Sequence, residues 1–266
     1  MKLTVLCDNN TFIDQYLLGE PAFSCYLETD DARILLDAGY SDVFLKNADA
    51  LGIDLGCLTH VVLSHGHDDH TRGLTSLTER FDLSAAQLVC HPRCLLKRWY
   101  NGLYIGPPEG AAEGFGSRTL SGEPVWLTES CVFLGEIPVS HGFEPRHSIG
   151  TVEADGQQEP DFLTDDSALV CKTEQGLFIL TGCSHSGICN IVSYAQAVCG
   201  ETRIAGILGG FHLMEGGERA RKAAEFLKEV NPAALYPCHC VSLAAKIELA
   251  RGLDIREVGS GLYLEA

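Results

Sequence analysis

Residues 64–70 read Ser64-His65-Gly66-His67-Asp68-Asp69-His70, directly after the apolar run Val61-Val62-Leu63. A β-branched run of this kind is the pattern of a buried strand, and Gly66 marks the turn that leaves it. Three imidazoles and two carboxylates then fall between His65 and His70. These are the donors that divalent zinc, iron and manganese take. In an extended loop alternate side chains project the same way, so His65 and His67 can grip one ion. Asp69 and His70, past the bend, can reach a second. The bland alternative is a solvated, histidine-rich turn. A strand end that carries this spacing weighs heavily against it.

The His-x-His-x-Asp-His form resembles the metal-binding stretch of the metallo-β-lactamase-fold hydrolases. The resemblance implies an α/β chain folded as a four-layer α/β/β/α sandwich, two mixed sheets flanked by helices, with a dinuclear site along one sheet edge. It does not imply β-lactam cleavage, since one fold hosts many chemistries. Two ions need donors beyond one loop. Thr181-Gly182-Cys183-Ser184-His185-Ser186-Gly187 follows the run Leu177–Leu180, and His185 is expected as a ligand there. Cys183 stands where the superfamily usually has a bridging aspartate. It is either a thiolate ligand or a packed thiol. The superfamily closes its site with a histidine that His239 matches, in Tyr236-Pro237-Cys238-His239-Cys240.

The chain has 266 residues, enough for one large α/β domain or two small ones, and 45% are apolar. The loops 101–117 and 140–166 are rich in Gly and Pro or in acids, and strand signals resume after each. One domain, 1–266, is therefore expected, with these two stretches as irregular lid loops. The net charge is −17, from 36 acidic against 19 basic residues. Such a surface repels phosphate backbones and anionic membranes, which leaves a small molecule as the expected partner and homo-oligomerisation open. No apolar run is long enough for a signal peptide or membrane span, so a cytoplasmic location is expected. Twelve cysteines in a chain of this size read mostly as small buried hydrophobes.

Strands are expected at Leu3–Cys7, Phe23–Glu28, Arg33–Asp37, Thr59–Leu63, Gln87–His91 and Pro124–Leu134, and helices at Ser41–Leu51 and Leu243–Ala250. The second half echoes the first. Strand, polar turn and strand over Ala168–Leu180 are followed by a helical segment and the strand Ile204–Leu208. In that superposition Gly209-Gly210-Phe211-His212 falls on Ser64-His65-Gly66-His67, which brings His212 to the site.

A narrower resemblance rests on Asp165-Asp166-Ser167-Ala168-Leu169, Gly182–Ile188, Gly209-Gly210-Phe211-His212-Leu213 and His239-Cys240. These are similar to a branch related to the synthase that joins a 7,8-dihydropterin to an aminobenzene ribotide phosphate. It implies one ion held by His65, His67 and His185, and a second by Asp69, His70 and His239, with Cys183 between or beside them. The expected cofactors are two divalent ions, zinc first, with iron or manganese as alternatives. Asp69 and His212 are the expected catalytic groups, and His141, Asp166 and His212 the expected substrate contacts. The activity expected first is hydrolysis of a small ester, thioester or phosphoester by water activated between the ions. A dihydropterin transferase is second. A di-iron redox enzyme is third, and the chain shows no glycine-rich flavin-binding module to serve it.

Overall fold

The computed structural model describes residues 1–29 and 31–265. The first half runs β1 (Lys2–Cys7), β2 (Ser24–Glu28), β3 (Arg33–Leu36), α1 (Val43–Leu51), β4 (His60–Val62), α2 (Asp68–Thr71), α3 (Leu74–Arg80) and β5 (Gln87–Cys90). A middle region holds β6 (Arg98–Tyr100), β7 (Leu103–Tyr104), β8 (Ser117–Leu120), β9 (Val125–Trp126), β10 (Cys131–Phe133), β11 (Thr151–Ala154) and β12 (Gln157–Pro160). The second half runs β13 (Ala168–Thr173), β14 (Gly176–Thr181), α4 (Ile188–Cys199), β15 (Ile204–Gly209), α5 (Glu218–Val230), β16 (Leu235–Pro237), α6 (Leu243–Ala250) and β17 (Tyr263–Glu265).

Two sheets face each other, one in the order β17-β1-β2-β3-β4-β5-β8 and one in the order β16-β15-β14-β13-β10-β9. Their strands are apolar on both faces, and the period of two sends alternate residues to opposite cores. Leu3, Val5, Ile34, Leu36, Val62 and Val89 meet Phe133, Leu169, Phe178, Leu180 and Leu208 between the sheets. Leu35, Val61, Leu63 and Leu88 turn outward against Phe44 and Leu45 of α1 and Leu74 and Leu77 of α3. Val170, Leu177, Ile179 and Ile207 turn outward against α4, α5 and α6. The result is four layers, helix, sheet, sheet, helix, as expected.

The two halves correspond strand by strand. β2 and β3 pair antiparallel and β3, β4 and β5 run parallel. β13 and β14 pair antiparallel and β14, β15 and β16 run parallel. Loops leaving the carboxyl ends of parallel strands gather at one edge of such sheets. Here they are the loops after β3, β4, β14, β15 and β16.

Three local expectations are corrected. The stretches 101–117 and 140–166 are not wholly irregular: β7, β11 and β12 fall within them and join β6 in a third, antiparallel sheet, β12-β11-β6-β7. Asp68 N donates to Ile105 O at 2.9 Å, which sets this sheet against the metal-motif loop. Pro124–Leu134 forms two short strands, β9 and β10, because the chain turns back at Thr128–Ser130 through the Thr128 hydroxyl. The helix α5 was not among the expected elements. Ala220, Ala223, Ala224 and Leu227 give it one apolar stripe. Most cysteines are buried as expected, but Cys131 and Cys171, opposite one another on β10 and β13, form a disulfide. Among the described residues no helix is long and apolar enough to cross a membrane.

Candidate metal centre

The gathered loops bring seven donor residues together in two groups. His65, His67 and His185 form one, and Asp69, His70, Cys183 and His239 the other, with the donor atoms of each group within 4.8 Å of one another. In the first group His65 Nε2 lies 3.1 Å from His67 Nδ1 and 3.2 Å from His185 Nε2. Ligand nitrogens about 2.0–2.1 Å from a tetrahedral ion stand about 3.3 Å apart, so this spacing fits a shared cation. Burial lowers His65 and His185 well below the usual histidine value and lowers His67 to about 4. All three rings are therefore neutral at pH 7, the form that ligates. In the second group His70 Nε2 is 3.2 Å from His239 Nε2 and 3.3 Å from Cys183 Sγ. Asp69 Oδ2 lies 3.2 Å from His239 Nε2 and 3.5 Å from His70 Nε2. Burial opposes ionisation of Asp69, but the facing His70 and His239 outweigh it and hold its carboxyl well below the usual range. The donor chemistry and spacing fit two divalent ions.

Each ring is aimed by its other nitrogen or its backbone. Asp37, at the end of β3, is fully buried. Its Oδ1 accepts from Ser64 N at 2.8 Å, and its Oδ2 meets Ser64 Oγ and His70 Nδ1 at 2.7 Å each. Ser64 Oγ in turn meets His65 Nδ1 at 3.0 Å. His239 Nδ1 meets Asn9 Oδ1, and its backbone N donates to Asp8 Oδ2, both at 2.9 Å. With Nδ1 held in this way, the Nε2 atoms of His65, His70 and His239 are left to converge. Sequence reasoning missed Asp37, Asp8 and Asn9. The signal for Asp37 was its place at the end of β3, the counterpart of the Gly182-Cys183 turn after β14.

His212 comes to the centre, as the half-to-half correspondence predicts. Its ring centroid is 4.3 Å from that of His185, though it lies outside both donor groups. Burial and then the Arg219 charge lower it to about 4. It is neutral at pH 7 and suited to hydrogen bonding more than to proton donation as an imidazolium. The two other expected substrate contacts are placed as follows. His141 is held on the helical layer, with Nε2 2.9 Å from Ser193 Oγ of α4 and its ring against Phe226 of α5. Asp166 is fully buried, and its Oδ2 accepts from Ser186 N at 2.8 Å, so one carboxylate oxygen is committed to backbone.

A four-layer sandwich with histidine, aspartate and cysteine donors gathered at one sheet edge defines the class of this protein as a fold with a candidate metal centre. The sequence pattern of the metallo-beta-lactamase superfamily matches residues 18–87. The solved structure of Tm1679, a metal-dependent hydrolase of the β-lactamase superfamily, is 30% identical, with a TM-score of 0.87 over 100% of this chain and 99% of that one. The chain belongs to the metallo-β-lactamase superfamily. It is also 28% identical, over 94% of each chain, to an uncharacterised protein of Methanocaldococcus jannaschii. To the 7,8-dihydropterin-6-methyl-4-(beta-D-ribofuranosyl)-aminobenzene-5'-phosphate synthase of the same organism it is 28% identical, over 80% of this chain and 77% of the relative.

Proposed function

We propose that the protein is a dinuclear metal-dependent hydrolase of a small ester, thioester or phosphoester. The observation that carries this is the pair of donor groups side by side at the carboxyl ends of the parallel strands. His65, His67 and His185 would hold one ion, and Asp69, His70, Cys183 and His239 the other. When bound, divalent ions polarise a carbonyl or phosphoryl oxygen and lower the pKa of water toward neutrality. Asp69, ionised and 28% exposed, is the carboxylate placed at the cleft to accept a hydrogen bond from water and orient it. His212, neutral and beside His185, offers a hydrogen bond to a substrate oxygen. The third sheet, set against the motif loop through Asp68 and Ile105, is the lid of this reading.

The test is turnover of p-nitrophenyl acetate, an acyl thioester and bis(p-nitrophenyl) phosphate by chain loaded with zinc, iron or manganese. One class should turn over, stop on chelation, and fall more than tenfold in His212→Ala with both ions retained. No turnover in any class with two ions bound per chain would sink the hydrolase reading. The likeness to the synthase supports a second reading, transfer of a dihydropterin group from its diphosphate onto an aminobenzene, with diphosphate leaving. Coupling of a dihydropterin diphosphate to an aminobenzene ribotide in place of hydrolysis would select it.

A further inference from the structure

Asp165 and Asp166 are adjacent, both fully buried, and point their carboxylates to different loops. Asp165 Oδ2 accepts from Gly66 N at 2.8 Å, the amide between His65 and His67. Asp166 Oδ2 accepts from Ser186 N at 2.8 Å, the amide that follows His185. The next residue completes the hold, since Ser167 N donates to Ser64 O at 2.9 Å. Ser186 is gripped on its other side too: Asn190 Nδ2 donates to Ser186 O at 2.7 Å. Three consecutive residues thus bind backbone beside all three histidines of one group. They make no such contact with Asp69, His70, Cys183 or His239 among the described residues.

A buried carboxylate carries a large desolvation cost unless it is compensated, and Asp165 has such a partner. Asp165 Oδ1 pairs with Arg98 Nη2 at 2.8 Å, and Arg98 Nε bonds Asp161 Oδ2 at 2.6 Å. Arg98 is the first residue of β6, completely buried, and its guanidinium also bonds the carbonyls of Arg93 and Cys94. A Cβ on Gly66 would fall on this guanidinium and on Cys94 O, so glycine is required there. The arrangement is more elaborate than loop packing needs. A neutral acceptor would serve the Gly66 amide without a buried arginine.

We propose that Asp165 and Asp166 are positioning residues for the three-histidine group, with Arg98 tying that hold to the third sheet. They set the spacing of His65, His67 and His185 before any ion arrives, which lowers the ordering cost of binding at that half of the centre. The inference rests on the two-ion reading above and assigns these residues to one ion only.

Cadmium-113 NMR on the fully loaded chain tests it, with the two resonances assigned through His185→Ala and His239→Ala. Asp165→Ala and Asp166→Ala should each weaken the three-histidine site about 10–100-fold, with the other site within threefold of wild type. Asp166→Asn keeps an oxygen for the Ser186 amide and should bind like wild type. Equal weakening of both sites, or no change at either, overturns the proposal. So does failure of Asp166→Asn to rescue. A wild-type chain that holds fewer than two ions overturns the two-ion reading and this inference together. Because an alanine variant can fail to fold, amide exchange on the metal-free wild type gives a second measurement. Gly66 and Ser186 should exchange as slowly as Val62 and Ile179. Exchange more than 100-fold faster overturns the proposal whatever the variants do.

Discussion

Asp37→Asn separates charge and hydrogen-bond polarity from shape at the centre. Asp37 has φ +59°, in the left-handed region that asparagine tolerates almost as well, so the backbone is left alone. Asparagine keeps one oxygen for Ser64 N, which Oδ1 accepts at 2.8 Å. The other oxygen becomes an amide nitrogen, and it now faces Ser64 Oγ and His70 Nδ1, each at 2.7 Å. The serine hydroxyl can rotate. The His70 ring can only avoid opposed donors by moving its proton to Nε2, the atom that converges with His239 and Cys183. The lost bond is charge-assisted and buried, about 1.5–3 kcal/mol, and partners of this kind are worth about 10–100-fold in metal affinity. At about 1.4 kcal/mol per tenfold the two ranges agree. Zinc competition against a chromophoric chelator at pH 7.5 should show the Asp69–His70–Cys183–His239 site weakened within that range. The three-histidine site should weaken less, through Ser64 and His65. Affinities within twofold of wild type at both sites would refute the orientation argument.

Gly66→Ala should abolish binding at the three-histidine site or prevent soluble expression, since its Cβ would overlap Arg98 and Cys94 O; Gly142→Ala, with nothing within 4 Å, is the neutral control. Chelation should lower the melting temperature. At free metal 100-fold above Kd each ion contributes about 2.7 kcal/mol, roughly 5 °C or more per site for a chain of this size, and an unchanged melting curve would count against resident ions. Glu144 is fully buried, and its Oε2 accepts from Cys189 N at 2.9 Å at the start of α4. Burial raises its pKa above the usual 4.5, against the opposing pull of Arg219 and the amides. A carboxyl whose folded pKa is raised binds more protons folded than unfolded, so its ionisation costs stability as pH rises from 4.5 through the folded pKa. The stability of Glu144→Gln relative to wild type should therefore be more favourable at pH 7.5 than at pH 4.5. Urea unfolding at the two pH values measures it, and a difference that ignores pH would show that the burial cost is absent.

Local pattern was enough for much of this protein. Val61-Val62-Leu63 and the seven residues after it announce a strand end with metal donors, and period-two alternation is a property of the backbone that needs no partner. The echo between the halves placed His212, because the same order of pairings was repeated in β13, β14 and β15. The helix α5 escaped that reading although Ala220, Ala223, Ala224 and Leu227 carry its stripe, since alanine is a weak hydrophobic signal.

Side-chain direction at buried polar residues was decided by tertiary structure alone. Asp166 and His141 carry the right chemistry for substrate, yet one bonds Ser186 N and the other Ser193 Oγ. Asp37 looked ordinary and Asp165 was only part of a motif with no role attached, yet they became partners of groups 27 and 99 residues away, respectively. Sequence determined which residues could ligate and the strand ends on which they stand. It could not determine which of many acids would orient them, because a buried carboxylate is placed by whichever distant amide or guanidinium offsets its desolvation, and that choice exists only once the sheets have closed.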